Sequence, residues 1–146
     1  VDPVGEILKS YARRGVFRSY SERGGRYRFV WLTAEPFDVA FDPARDSLTF
    51  VNLLPAVSRE LSDGLKDFIR SCTSPDLPDH RRIDVSRLRV IYRRKRGVVS
   101  IEFLIQNHNY EYGVRKAVNI VNEIFLSFLT VHHAPYMVEH FQMWDE

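Results

Sequence analysis

The stretch Leu88-Arg89-Val90-Ile91-Tyr92-Arg93-Arg94-Lys95-Arg96-Gly97-Val98-Val99-Ser100-Ile101-Glu102-Phe103-Leu104-Ile105 sets the fold class. Its apolar residues recur at every second position on both sides of a basic turn, the period of strands with one buried face. Leu88, Val90 and Tyr92 share one face of the incoming strand, and Val99, Ile101, Phe103 and Ile105 share one face of the outgoing strand. A turn centred on Lys95-Arg96 pairs Leu88 with Phe103, Val90 with Ile101 and Tyr92 with Val99, and sets Arg89 opposite Glu102. A turn at Arg96-Gly97 shifts the partners by two residues and keeps the faces.

Directly after this hairpin the period changes to that of a helix. From Asn109 on, Val114, Ala117, Val118, Val121, Ile124, Phe125, Phe128 and Leu129 trace an apolar stripe opposite Arg115, Lys116, Asn119, Asn122 and Glu123. The spacing predicts a helix over 110–131. Ile120 and Leu126 widen the stripe beyond what one sheet face needs, which marks both as candidate partner contacts.

Upstream, Leu61, Leu65, Phe68, Ile69 and Cys72 recur at helical spacing and predict a helix over 57–72 with Cys72 as a small buried hydrophobe. A long loop with Pro75 and Pro78 separates it from the hairpin. Before it lie two more hairpins. Val16–Ser21 and Arg26–Thr33 flank Arg23-Gly24-Gly25, with Tyr27, Phe29 and Trp31 on one face. Pro36–Asp42 and Ser47–Leu53 flank a proline turn that sets Leu48 against Phe41 and Phe50 against Val39. A short helix opens the chain, capped by Asp2-Pro3 and stopped at Gly15.

The order is therefore α-β-β-β-β-α-β-β-α, a single α+β domain over 1–131 with an antiparallel sheet of five to six strands and three helices. The tail 132–146 is rich in large side chains, and its Tyr136, Phe141 and Trp144 are expected to pack on the domain or on a partner. A length of 146 residues suits one core, and 45% hydrophobic with 27% charged residues is ordinary globular composition. The lone Cys72 forms no intrachain disulfide, no apolar run reaches ~20 residues, and Val1-Asp2-Pro3 opens without a secretory pattern; the expected location is cytoplasmic.

This element order resembles the type III secretion chaperone-like fold and the YbjN-like proteins that share it. The resemblance covers most of residues 3–131 and rests on the order, on the hairpin Arg87-to-Gln106 and on the helix Tyr110-to-Leu129 that follows it. It implies a non-enzymatic protein-binding module, often a homodimer, that holds a partner segment on a sheet face or in a helix groove. The family offers no catalytic residues to carry over.

Net charge is only +2, so any nucleic-acid reading must rest on local clustering. Such a cluster exists: Arg81, Arg82, Arg87, Arg89, Arg93, Arg94, Lys95 and Arg96 put eight of the 21 Lys and Arg into one short segment, against a single acid, Asp84. The hairpin tip Arg93-Arg94-Lys95-Arg96 suits three roles: a solvated turn that keeps a sheet edge unpaired, a docking point for an acidic protein or peptide, or a phosphate contact in nucleic acid. Single-stranded nucleic-acid binders interleave aromatics with such charges, and here only Tyr92 qualifies, on the expected core face.

Other chemistry is sparse. Asp76, Asp79 and His80 share one loop, and His132, His133 and His140 sit near the C-terminus, without the paired spacing that metal sites use. A Cys72–His80 nucleophile pair needs an exposed thiol. No Gly-x-Ser-x-Gly elbow, P-loop or dinucleotide fingerprint occurs. Neither cofactor nor metal nor catalysis is expected. The expected function is a protein-binding or chaperone-like module, homodimeric, with nucleic-acid binding through 81–96 as the alternative.

Overall fold

The computed structural model describes residues 2–141. Helix α1 (Pro3–Arg13) leads into strands β1 (Arg18–Arg23), β2 (Arg26–Val30), β3 (Pro36–Asp42) and β4 (Ser47–Leu54). Helix α2 (Arg59–Ser71) follows, then β5 (Leu88–Lys95), β6 (Val98–Ile105) and α3 (Tyr110–Glu123). The helical rod continues as a π-helical stretch, Ile124–Leu129, and a last α-turn, α4 (Thr130–His132), before a short α5 (Ala134–His140). The six strands form one antiparallel sheet in the order β1-β2-β3-β4-β6-β5. The expected α+β class and element order stand, with α5 as an addition.

Local chemistry explains the boundaries. Asp2 Oδ1 accepts the Gly5 N–H at 2.9 Å and caps α1, with Pro3 in the first turn where its missing donor costs nothing. Ser58 Oγ accepts the Leu61 N–H at 3.1 Å and does the same for α2. Gly24 and Gly25 both take positive φ, the conformation of a two-residue turn matched to strand twist, and Arg23 pairs with Arg26 across it. Across the β3–β4 turn Leu48 faces Phe41 and Phe50 faces Val39, the expected register.

All helices lie on one side of the sheet. Tyr27, Phe29, Val39, Leu48, Phe50, Ile101 and Phe103 point into the core with Val4, Leu8, Leu65, Val114, Val121 and Phe125. Every aromatic residue of the six strands belongs to this side, either in the core or packed against it. The opposite side carries Arg26, Arg28, Asp38, Arg89 and Arg93 in the open, with Ala40, Val51, Ile91 and Leu104 half-buried between them.

The long C-terminal helix differs from expectation in its winding. Thr130 Oγ1 donates to the Phe125 carbonyl five residues back, at 2.6 Å, inside the π-helical stretch. The wide apolar stripe serves two neighbours: α3 packs against α1 as well as β6, and the π-helical stretch against α2 and α5.

Candidate partner-binding surface

The β5–β6 hairpin forms one wall of a partly apolar groove. Arg96 and Gly97 take φ of +53° and +79°, both left-handed, so they are the two inner residues of the turn. Lys95 therefore pairs with Val98, Tyr92 with Ile101, Val90 with Phe103 and Leu88 with Ile105. The register centred on Lys95-Arg96 is corrected by two residues. Glycine's tolerance of positive φ decides it, because Gly97 fits the second inner position better than any β-branched neighbour. Arg89 consequently faces Leu104, and Ile91 faces Glu102.

The same turn fixes where the backbone of β5 points. In an antiparallel ladder closed by a two-residue turn, the pair flanking the turn exchanges both hydrogen bonds, and alternate pairs beyond it do likewise. Arg89, Ile91, Arg93 and Lys95 thus bond to β6, while Val90 and Tyr92 direct their N–H and C=O away from it. Among the described residues no strand lies on that side, because β5 is an edge of the sheet.

Beside this edge runs a groove between β5 and α2, floored by Ile69, Ile83, Leu88, Val90 and Tyr92, with Val85 at its lip, 55% exposed. Tyr92 is pinned there by a 2.6 Å hydrogen bond between its hydroxyl and that of Ser62. Among the described residues Lys66, Arg70 and Arg89 rim the groove, and no acid lines it. Lys66 Nζ lies 5.9 Å from the Tyr92 ring centroid.

No family model, curated protein or solved structure matches this chain. Its site must be read from its own geometry.

That geometry divides the basic segment 81–96. Arg81 reaches Glu123 at 3.9 Å, Arg82 pairs with Asp79, and Arg87 donates to Asp84 at 3.0 Å while stacking 3.7 Å above the Tyr112 ring. Arg94 donates Nε and Nη2 to the Val57 carbonyl at 3.0 and 2.7 Å, which anchors the turn to the segment leading into α2. Arg93 holds Glu102. Lys95 and Arg96 are exposed at the tip, as is Arg89 beside the groove. The segment is a set of structural clamps with three outlying cations, not a continuous stripe.

The other expected contact residues separate in the same way. Ile120 is 4% exposed and belongs to the core, so it is no surface contact of the folded chain; the two-sided packing of α3 accounts for its position. Phe141 is 8% exposed and packs edge-on against Phe125. Tyr136 is half-buried, meets the His140 ring at a tilt with centroids 4.7 Å apart and donates its hydroxyl to the Pro55 carbonyl. Burial pushes its pKa upward. The tail through Phe141 thus packs on its own domain. Leu126 is 50% exposed, in keeping with a contact role, and Trp144 lies outside the described residues.

Cys72 stands at the end of α2, half-buried rather than fully buried. Its thiol lies 3.5 Å from the Phe68 carbonyl, and burial raises its pKa, the reverse of nucleophile activation. His80 is exposed, and its carbonyl accepts Lys116 Nζ at 3.1 Å. Among the described residues no three of His, Cys, Asp and Glu converge as metal ligands, and no helix is long and apolar enough to cross a membrane.

Sequence reasoning missed the groove rim, Lys66 and Arg70, because nothing local says which side of α2 faces the sheet edge. It also missed the surroundings of Glu102. One signal was available: a glutamate flanked by Ile101 and Phe103 in a strand of apolar residues calls for a partner wherever it points.

Proposed function

We propose that this protein is a non-enzymatic, protein-binding module that receives an extended, acidic segment as a seventh strand along β5. One observation carries the reading: the backbone edge at Val90 and Tyr92, unpaired by any described strand, adjoins an apolar groove whose charged rim is wholly basic among the described residues. Strand addition supplies main-chain hydrogen bonds for affinity, and the groove selects alternate apolar side chains. Acids between those side chains meet Lys66, Arg70 and Arg89. The resemblance to secretion chaperone-like and YbjN-like proteins points to the same class of function, as an analogy of fold.

Nucleic acid is the weaker reading. Single strands are held by stacking, and every aromatic of the sheet is turned to the helix side. The basic segment, with most of its cations clamped, offers few phosphate contacts.

The test is a library of random dodecapeptides displayed on phage and panned against the immobilised protein. Enriched sequences that alternate apolar residues with Asp or Glu, and that lose binding to a Lys66→Glu, Arg89→Glu variant, support the reading. Basic or patternless sequences, or binding indifferent to both reversals, contradict it.

Homodimerisation is a second reading, favoured by one observation. Of the five large apolar side chains that stand exposed among the described residues, Leu126, Val131 and Val138 all fall in the C-terminal helical region. Light scattering on the eluting peak should give twice the chain mass; a monomer at micromolar concentration removes it.

A further inference from the structure

Across the uncovered side of the sheet, Arg26, Ala40, Thr49, Glu102 and Ile91 stand in one row on β2, β3, β4, β6 and β5. Glu102 is 3% exposed although no helix or strand among the described residues packs over it. Its cover consists of side chains. Ser47 Oγ donates to Oε2 at 2.5 Å, Arg45 Nη1 lies 3.3 Å from the same oxygen, and Arg93 donates Nε and Nη2 to Oε1 at 3.2 and 2.8 Å. Arg45 and Arg93 are themselves 57% and 58% exposed.

A buried carboxylate under two outward arginines does two things. It draws both guanidiniums to fixed places, so that less side-chain freedom is lost when they bind. It also spends only part of their donors. Arg93 Nη1 makes no hydrogen bond among the described residues, Arg45 contributes one nitrogen to the ion pair, and Arg26 makes no side-chain hydrogen bond or ion pair among the described residues. The three arginines line one depression with Ser47, Thr49 and Glu102. Asp42 lines it too, its Oδ1 accepting the Ala44 N–H at 3.0 Å. Three cations against two carboxylates leave a formal charge of one positive unit.

We propose that this depression binds a carboxylate, presented by an acidic side chain, a chain terminus or a small organic acid. A planar, singly charged oxyanion matches the residual charge and takes the parallel N–H pairs that arginine offers. A phosphate dianion would approach both Glu102 and Asp42 and exceed the charge available. The site lies on the sheet side away from the β5–α2 groove and stands independently of strand addition there.

The experiment titrates the protein with sodium acetate, and separately with sodium chloride at matched ionic strength, following the arginine Nε–Hε resonances. Saturable shifts of Arg45 and Arg93 with acetate, absent with chloride, are expected. Arg26→Gln, which breaks no side-chain hydrogen bond or ion pair among the described residues, and Arg45→Gln should each weaken acetate binding about tenfold or more, consistent with one charged hydrogen bond, while the amide spectrum keeps its dispersion. Glycylglycine and N-acetylglutamic α-amide, compared with acetate, distinguish a chain terminus from a side chain. Equal responses to acetate and chloride overturn the proposal, as does affinity unchanged in both variants. Tighter binding of inorganic phosphate than of acetate overturns the carboxylate assignment.

Discussion

Arg93 and Glu102 are diagonal neighbours on the uncovered side of the β5–β6 hairpin, and the arginine places two nitrogens, Nε and Nη2, on one carboxylate oxygen at 3.2 and 2.8 Å. The residue directly across from Glu102 is Ile91. The two-residue displacement of register, set by Arg96-Gly97, therefore makes Arg93 the diagonal partner of Glu102 and sets Arg89 across from Leu104 instead.

Glu102→Gln should destabilise the fold. Burial raises the carboxyl's pKa, but Ser47, Arg93 and Arg45 outweigh it and hold the pKa below the ordinary value of 4.5. A depressed folded pKa contributes stability that is full above 4.5 and is lost as pH falls through the folded value. Urea unfolding should show a deficit of about 1–3 kcal/mol at pH 7, and the gap between variant and wild type should close as pH drops below 4.5. A gap independent of pH would show that the carboxylate's charge contributes nothing.

Arg96→Asn should stabilise the hairpin by a few tenths of a kcal/mol, since Asn accepts positive φ more readily than Arg. Arg96 sits at φ +53° on an exposed tip, so the substitution removes strain without removing a clamp. A small rise in melting temperature checks it; a fall would mean that the Arg96 side chain has a partner.

Gly113→Ala should cost about 1–3 kcal/mol, the usual range for overpacking. A Cβ there would stand 2.7 Å from Ile105 Cγ1, where the first turn of α3 crosses β6. The midpoint of chemical denaturation reads the loss, and an unchanged midpoint would place the helix farther from the sheet.

Cys72 should react slowly with a maleimide or a disulfide reagent at neutral pH, its rate curve displaced to higher pH than that of a free thiol. Burial raises its pKa, so less thiolate is present. Rapid labelling at pH 7 would reopen the question of a nucleophile.

The fold was legible because its elements are locally consistent: alternation in the strands, a helical stripe after Asn109, and a cap at Asp2. Register in the last hairpin was not decided by its faces, since a two-residue shift keeps every apolar side chain inside; only backbone sign at Arg96 and Gly97 chooses. Ile120 looked like a surface contact because a stripe says how much apolar surface a helix carries, not how many neighbours share it. The basic segment looked like one feature because its charges are adjacent in sequence. In space Arg81, Arg82, Arg87, Arg93 and Arg94 each turn to a different anchor, and all of these anchors but Asp84 lie outside the segment.

Amide hydrogen exchange at Val90 and Tyr92, with and without a peptide selected from the dodecapeptide library, tests strand addition most directly. The account predicts that peptide slows exchange at both amides, and that Val90→Pro, which removes an outward donor of an edge strand while sparing the β6 ladder, abolishes binding in a protein that still folds. Bound peptide that leaves the Val90 and Tyr92 amides exchanging as before, or that binds the Val90→Pro variant equally well, would contradict it.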